Sequence, residues 1–139
     1  ASRKGGAGKT TIAVHLAVEA ARAGAGPVAI VDVDPMQGMT QWFDARADEQ
    51  PVLFKGAVTD LVPKLRKQGF RLLIVDTPPS IGEALAPHGV IAPLLYDRTD
   101  YAAAMNDGLT APELDTKGPV QGEVTALWAY VASRLELAT

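Results

Sequence analysis

The segment Arg3-Lys4-Gly5-Gly6-Ala7-Gly8-Lys9-Thr10-Thr11 interleaves small residues with lysines and ends in two hydroxyls. Residues of these types at this spacing suit the binding of a phosphate chain. The ordinary phosphate-binding loop reads G-x-x-x-x-G-K-[ST]. Gly8-Lys9-Thr10 fits its second half, Arg3 stands where the first glycine belongs, and the other glycines have moved inward to positions 5 and 6. Small residues let a backbone wrap closely around a phosphate, so that N–H groups point inward and the start of a following helix adds its positive end. Lys9 is placed to reach the β- and γ-phosphates, and the Thr10 hydroxyl to ligate Mg²⁺. Lys4 exceeds what one loop needs to hold one phosphate chain. In a face-to-face dimer it would be a cation supplied to the partner's nucleotide. The bland alternative is a glycine-rich surface turn with exposed lysines.

Carboxylates follow at two further places. Asp32 and Asp34 lie in Val31-Asp32-Val33-Asp34-Pro35-Met36-Gln37-Gly38, directly after the apolar run Val28-Ala29-Ile30-Val31. Asp76 closes a second such run, Leu72-Leu73-Ile74-Val75, and leads into Thr77-Pro78-Pro79-Ser80. Short all-apolar runs are the pattern of strands buried on both faces. Carboxylates after them sit at the carboxyl edge, where ligands bind in open parallel sheets. Mg²⁺ takes few carboxylates, with waters and phosphate oxygens completing its shell. Asp76 therefore suits holding a magnesium-bound water, and Asp34 suits orienting an attacking water. Aspartate before proline also starts turns, so a turn-capping role stays open for Asp34 and for Asp76.

The elements that must position these groups alternate between helix and strand, which predicts an α/β domain with a mainly parallel, doubly wound sheet. Thr10 to Ala23 reads as a helix, with His15, Glu19 and Arg22 on one polar stripe and Gly24 and Gly26 ending it. Met39 to Ala47 and Val58 to Gln68 are further helices, with Pro63 limiting the second or moving its start. Val90 to Leu95 is expected as a strand, and Val120 to Leu137 as an amphipathic helix docking on the sheet. Trp42 and Trp128 are expected to pack inside. His15 and His88 lack partners at metal-ligand spacing and are expected on the surface. Lys64, Arg66, Lys67 and Arg71 read as a solvated helix face.

Composition narrows the classes. The chain has 139 residues, 47% of them hydrophobic and 21% charged, ordinary values for a globular protein with one core. No apolar run approaches the ~20 residues that cross a membrane as a helix. Cysteine is absent, which excludes disulfides, thiolate metal sites and cysteine nucleophiles. Thirteen basic against sixteen acidic residues give a net charge of −3, against a strongly basic nucleic-acid module. No secretory signal is visible, so a cytoplasmic location is expected.

Together, these motifs resemble the ParA/MinD family of deviant Walker A P-loop ATPases, and the ParA partitioning branch most. Lys4-Gly5-Gly6-Ala7-Gly8-Lys9-Thr10-Thr11 matches the family's K-G-G-x-G-K-[ST]-[ST] loop. Asp32-Val33-Asp34-Pro35-Met36-Gln37-Gly38 matches its D-x-D-P-Q-G, with Met36 displacing Gln37 by one place. Asp76-Thr77-Pro78-Pro79-Ser80 matches its D-T-P-P-S. The resemblance implies a P-loop NTPase-like fold, ATP with Mg²⁺ and an ATP-sandwiched homodimer. It implies non-specific DNA binding in the ATP state, with nucleoid association, a stimulating partner protein and no membrane anchor. It assigns Lys4 to the crossing between protomers, Lys9 and Thr10 to phosphate and metal, Asp34 to the hydrolytic water and Asp76 to the magnesium shell. Ala1 to about Ala86 looks like the family's N-terminal half without its first strand. His88 to Thr139 looks like its C-terminal end, with Asp97-Arg98-Thr99-Asp100-Tyr101, Asn106-Asp107-Gly108 and a closing helix. The single ATPase domain is thus expected to be incomplete, joined near residues 86–88. The other readings are a metabolic P-loop enzyme of similar fold and a nucleotide-binding fragment without turnover.

Overall fold

A computed structural model describes residues 6–78 and 99–135. Three strands, β1 (Val28–Asp32), β2 (Val52–Phe54) and β3 (Leu72–Asp76), form a parallel sheet in the order β2-β1-β3. Helix α1 (Gly6–Arg22) precedes the sheet, and α2 (Gly38–Asp44) and α3 (Val58–Lys67) make the two crossovers. Helices α4 (Thr99–Asn106), α5 (Ala111–Leu114) and α6 (Pro119–Arg134) follow.

The apolar runs behave as their composition requires. Val28, Ala29 and Ile30 of the central strand β1 are fully buried. Alternate residues serve opposite faces. Val28 and Ile30 pack with α1, with Met39 and Trp42 of α2, and with Trp128 and Ala132 of α6. Ala29 and Val31 pack on Leu61 and Leu65 of α3. Helices thus cover both faces, the α/β arrangement expected. Each fully buried Val or Ile in such a strand contributes about 1.5–3 kcal/mol. Among the described residues β3 stands at the edge of the sheet, and it is only half-buried until Asp76.

Three helices end with the same device. After α1, Gly24 takes φ 85°, the Gly24 N–H donates to Ala21 O at 3.2 Å, and the Ala25 N–H donates to Ala20 O at 2.9 Å. Gly69 after α3 and Gly108 after α4 repeat this pair of bonds. Gly108 is the most constrained of them, because a Cβ there would collide with the backbone of Ala45 and Arg46.

Several expectations need correction. Helix α1 starts at Gly6, inside the glycine-rich segment, rather than at Thr10. Glycine admits helical dihedrals, and extending an existing helix by a residue adds one backbone bond for each residue fixed. Pro63 neither ends nor shifts its helix; it stands inside α3 on an exposed position. Strand β2 was not foreseen, since three residues are too few to show a period. His15 is not on the surface. It is completely buried, and Glu19 nearly so, because Tyr101 of α4 and the Ala111 N–H at the start of α5 close over His15 and Thr125 of α6 lies against Glu19. Helix α6 therefore docks chiefly on α1 rather than on the sheet. It runs from Pro119 to Arg134, with Leu135 exposed beyond it. Trp42 and Trp128 are core residues as expected, and the basic side chains of α3 and Arg71 are exposed. The expected strand over Val90–Leu95, His88 and the join near 86–88 lie outside the described residues, as do Lys4 and Gly5.

Candidate functional site

The parallel register places Asp32 directly beside Asp76 at the carboxyl ends of β1 and β3. The chain continues in step for one more bond, with the Val33 N–H donating to Asp76 O at 3.0 Å. Two carboxylates from neighbouring strands thus reach the same edge, which is also the edge met by the first turns of α1.

Thr10 and Asp76 meet there, 66 residues apart, with the Thr10 hydroxyl donating to Asp76 Oδ2 at 2.6 Å. Both side chains are buried. The other oxygen, Asp76 Oδ1, is buried and has no hydrogen-bond partner among the described residues. A buried carboxylate oxygen left bare is costly. Burial accordingly pushes the Asp76 carboxyl above its usual range; the Thr10 bond opposes this, Asp32 and Asp34 add to it, and the Lys9 ammonium opposes it.

Asp32 and Asp34 are held differently. Asp32 Oδ2 accepts from the Thr40 N–H and from the Thr40 hydroxyl, both at 2.9 Å. Its Oδ1 accepts from the Asp34 N–H at 3.1 Å. Asp32 therefore ties the turn after β1 to the first turn of α2. Asp34 is buried, and its Oδ1 accepts from the Met36 N–H at 3.0 Å. It caps its own turn, as an aspartate before proline does, and it lies close enough to influence Asp76 electrostatically. The residue after Met36, Gln37, takes a left-handed φ of 55°. Gly38 then comes against Thr10: a Cβ on Gly38 would stand 3.4 Å from Thr10 Cγ2 and 3.5 Å from its hydroxyl.

Of the residues expected to form the site, the structure brings Thr10 and Asp76 into contact and places Asp34 and Lys9 within electrostatic reach of Asp76. Gly6, Ala7, Gly8 and Thr11 lie on the first turns of α1. The first four N–H groups of an α-helix have no intrahelical partners, and here they belong to the glycine-rich segment, as an anion site requires. Asp76 and Thr10 are oxygen donors suited to a hard cation, and the bare Oδ1 fits a place in a magnesium shell. Among the described residues, no group of three or more His, Cys, Asp or Glu is arranged to hold a metal alone. That agrees with an ion that takes much of its shell from phosphate and water.

Sequence reasoning missed three residues around the site. Gly38 was quoted only as part of a motif, and its contact with Thr10 depends on the turn before it. His15 reads as a solvent-facing polar residue until α4 and α5 are placed. Arg46 has no motif around it. Its side chain is only 2% exposed, and it grips both oxygens of Glu113 at 2.9 Å.

His15 also makes a measurable prediction. Burial lowers its pKa from 6.5 to about 4, against the raising effects of its Thr11 bond and of Glu113. A depressed histidine pKa favours the neutral form in the fold, so its stabilising contribution is present above pH 6.5 and is lost as pH falls towards 4. Between pH 7 and pH 5 the contribution should drop by about 2 kcal/mol. Asp76, raised, acts in the opposite sense and gains as pH falls. The difference in denaturation free energy between the parent chain and His15→Gln, taken at both pH values, isolates the histidine. An unchanged difference would contradict its buried, neutral state.

The chain matches the CobQ/CobB/MinD/ParA nucleotide-binding domain over residues 1–92. It is 32% identical over 131 residues to the chromosome-partitioning ATPase Soj of Thermus thermophilus, covering 68% of this chain and 52% of that protein. It is 38% identical over 91 residues to the maintenance of carboxysome distribution protein A of Halothiobacillus neapolitanus, covering 61% and 41% of the two chains. The protein of the same name from Gloeobacter kilaueensis is 42% identical over 84 residues, covering 58% and 38%. The chain thus spans about half, or less, of the length of these relatives.

Proposed function

Because the chain belongs to the CobQ/CobB/MinD/ParA nucleotide-binding domain family, we propose that it binds ATP with Mg²⁺ and serves a ParA-like ATPase that positions a large cargo. The observation that carries this reading is the Thr10–Asp76 pair, with a buried oxygen that has no partner among the described residues and lies within electrostatic reach of Lys9. Nothing in a purely structural role calls for an unpartnered carboxylate oxygen at a sheet edge next to a phosphate-binding sequence.

In this reading the N–H groups from Gly5 to Thr10 and the Lys9 ammonium hold the β- and γ-phosphates, and Thr11 continues the same turn. Thr10 and Asp76 hold the metal and its water. Magnesium bound with the nucleotide neutralises charge on the phosphate oxygens. Asp34, fixed by its own turn, orients the attacking water, and Lys4 reaches the nucleotide of a second copy in an ATP-sandwiched homodimer. The names of the relatives support chromosomal DNA or a protein compartment as cargo. Non-specific DNA binding then belongs to the ATP-bound dimer on the nucleoid, and a partner protein stimulates hydrolysis. Among the described residues no helix is long and apolar enough to cross a membrane.

Calorimetric titration of ATP with and without magnesium tests the core of this proposal. Lys9→Ala should weaken ATP binding by about tenfold or more, the loss of one charge-assisted contact to phosphate. Unchanged affinity would remove the phosphate-binding assignment. Filter binding of DNA with ATP, with ADP and without nucleotide tests the switch. Retention should be strongest with ATP and fall steeply with salt, whereas equal retention in all three states rules the switch out.

A further inference from the structure

The buried imidazole of His15 has both ring nitrogens engaged. The Ala111 N–H donates to Nε2 at 3.1 Å, so Nε2 carries no proton and Nδ1 does. Nδ1 in turn donates to Thr11 O at 2.8 Å. The Tyr101 ring stands edge-on to the imidazole at 4.8 Å between centroids. Histidine is a dear way to fill a core position. A leucine would pack there without a proton to place, yet it would leave the Ala111 N–H bare at the start of α5.

What hangs on Ala111 makes the arrangement informative. Two residues later, Glu113 accepts from the Thr110 N–H at 2.8 Å and is clamped by Arg46. Arg46 also donates to Gly108 O at 2.8 Å and lies over the Trp42 ring of α2. Helix α2 begins at Gly38, which abuts Thr10. The contacts form a closed circuit: out from the phosphate-binding turn along α1 to His15, across to α5, through Arg46 to α2, and back to Thr10. His15 is the link on the α1 side.

We propose that His15 is a positioning residue for the nucleotide site: its Nδ1-protonated tautomer locks the first turns of α1 to the α5 turn, so that the packing of residues 99–135 sets the geometry at Thr10 and Thr11. The claim rests on the phosphate-binding reading above. It makes the C-terminal helices a determinant of nucleotide affinity, although none of their described residues joins the Thr10–Asp76 pair. The side chain acts through Thr11 and Ala111 and touches no reacting atom.

Three variants separate the two bonds. His15→Gln offers an acceptor at about the reach of Nε2, His15→Asn offers only a donor at the level of Nδ1, and His15→Leu offers neither. Affinity for AMP-PNP with magnesium is measured well below each melting temperature. His15→Asn and His15→Leu should bind about tenfold more weakly, the scale of coupling carried by contiguous contacts, while His15→Gln stays within about threefold of the parent. A merely structural histidine would lower the melting temperature and leave affinity unmoved, and that result overturns the proposal. If His15→Leu does not fold, the Asn and Gln pair decides. Nitrogen-15 NMR of the parent imidazole gives an independent check: an Nε2-protonated ring overturns the positioning role alone. A parent chain that binds no AMP-PNP removes the phosphate-binding reading and the positioning role with it.

Discussion

Replacing Arg46 with leucine should destabilise the chain by about 3–5 kcal/mol, the cost of removing one partner from a buried ion pair. The guanidinium is almost wholly buried, the Glu113 carboxylate only 18% exposed. Desolvation alone would raise the Glu113 pKa. The hydrogen bonds and charge of Arg46, with the Thr110 N–H, overcome it and hold the carboxyl below its usual range. Without Arg46 that carboxylate keeps its burial and retains only its Thr110 bonds as compensation. The Gly108 and Gln50 carbonyls lose donors as well, and the Trp42 ring loses the cation above it. For a domain whose whole stability is on the order of 10 kcal/mol, such a loss brings unfolding near physiological temperature. Urea denaturation of Arg46→Leu and of Arg46→Leu combined with Glu113→Leu makes the comparison. The double variant should recover a substantial part of the loss, because it leaves no lone charge inside. A single-variant loss under about 1 kcal/mol would show that the pair behaves as a surface salt bridge does.

Asp76→Asn should divide stability from function. In the free protein the substitution removes a carboxylate disfavoured by burial and by Asp32 and Asp34. The raised pKa means that the ionised form weakens the fold at neutral pH, a penalty that shrinks as pH falls through the folded value. The amide carries no charge and keeps an oxygen for the Thr10 hydroxyl. Melting without ligand should therefore rise by about 2–6 °C, corresponding to about 1 kcal/mol. Magnesium should at the same time cease to matter. Its enhancement of ATP affinity, on the order of a hundredfold in the parent if it contributes about 3 kcal/mol, should fall to within about twofold. Thermal melts and titrations at two magnesium concentrations read both effects. A variant that melts lower and still responds to magnesium would place the metal elsewhere.

Much of this site is legible in the chain because its parts are local patterns. The runs at 28–31 and 72–75 are too apolar for any place but a sheet covered on both faces, and each is followed at once by an aspartate. Once both strands are parallel neighbours, Asp32 and Asp76 fall side by side without further information. Gly24 stops α1 where its sequence indicates. His15 is the instructive failure. Its place on a polar stripe is read correctly, but a stripe shows which residues share a face and not what covers that face. The cover comes from far along the chain: the Tyr101 ring and the Ala111 N–H meet His15, and Thr125 of α6 donates to Glu19 Oε2 at 3.3 Å. Arg46 and Glu113 are hidden for the same reason: each looks like an ordinary surface charge, and only the fold brings them together. The glycine-rich segment fails more narrowly. A loop and a helix start are nearly equal in cost there, so the sequence alone does not choose between them.

A methyl group added at position 38 would rest at ordinary contact distance from the Thr10 side chain rather than collide with it. The turn that carries Asp34 is thereby a next-door neighbour of the helix that carries Thr10. Under the nucleotide-binding proposal, a displacement of one is expected to be felt by the other.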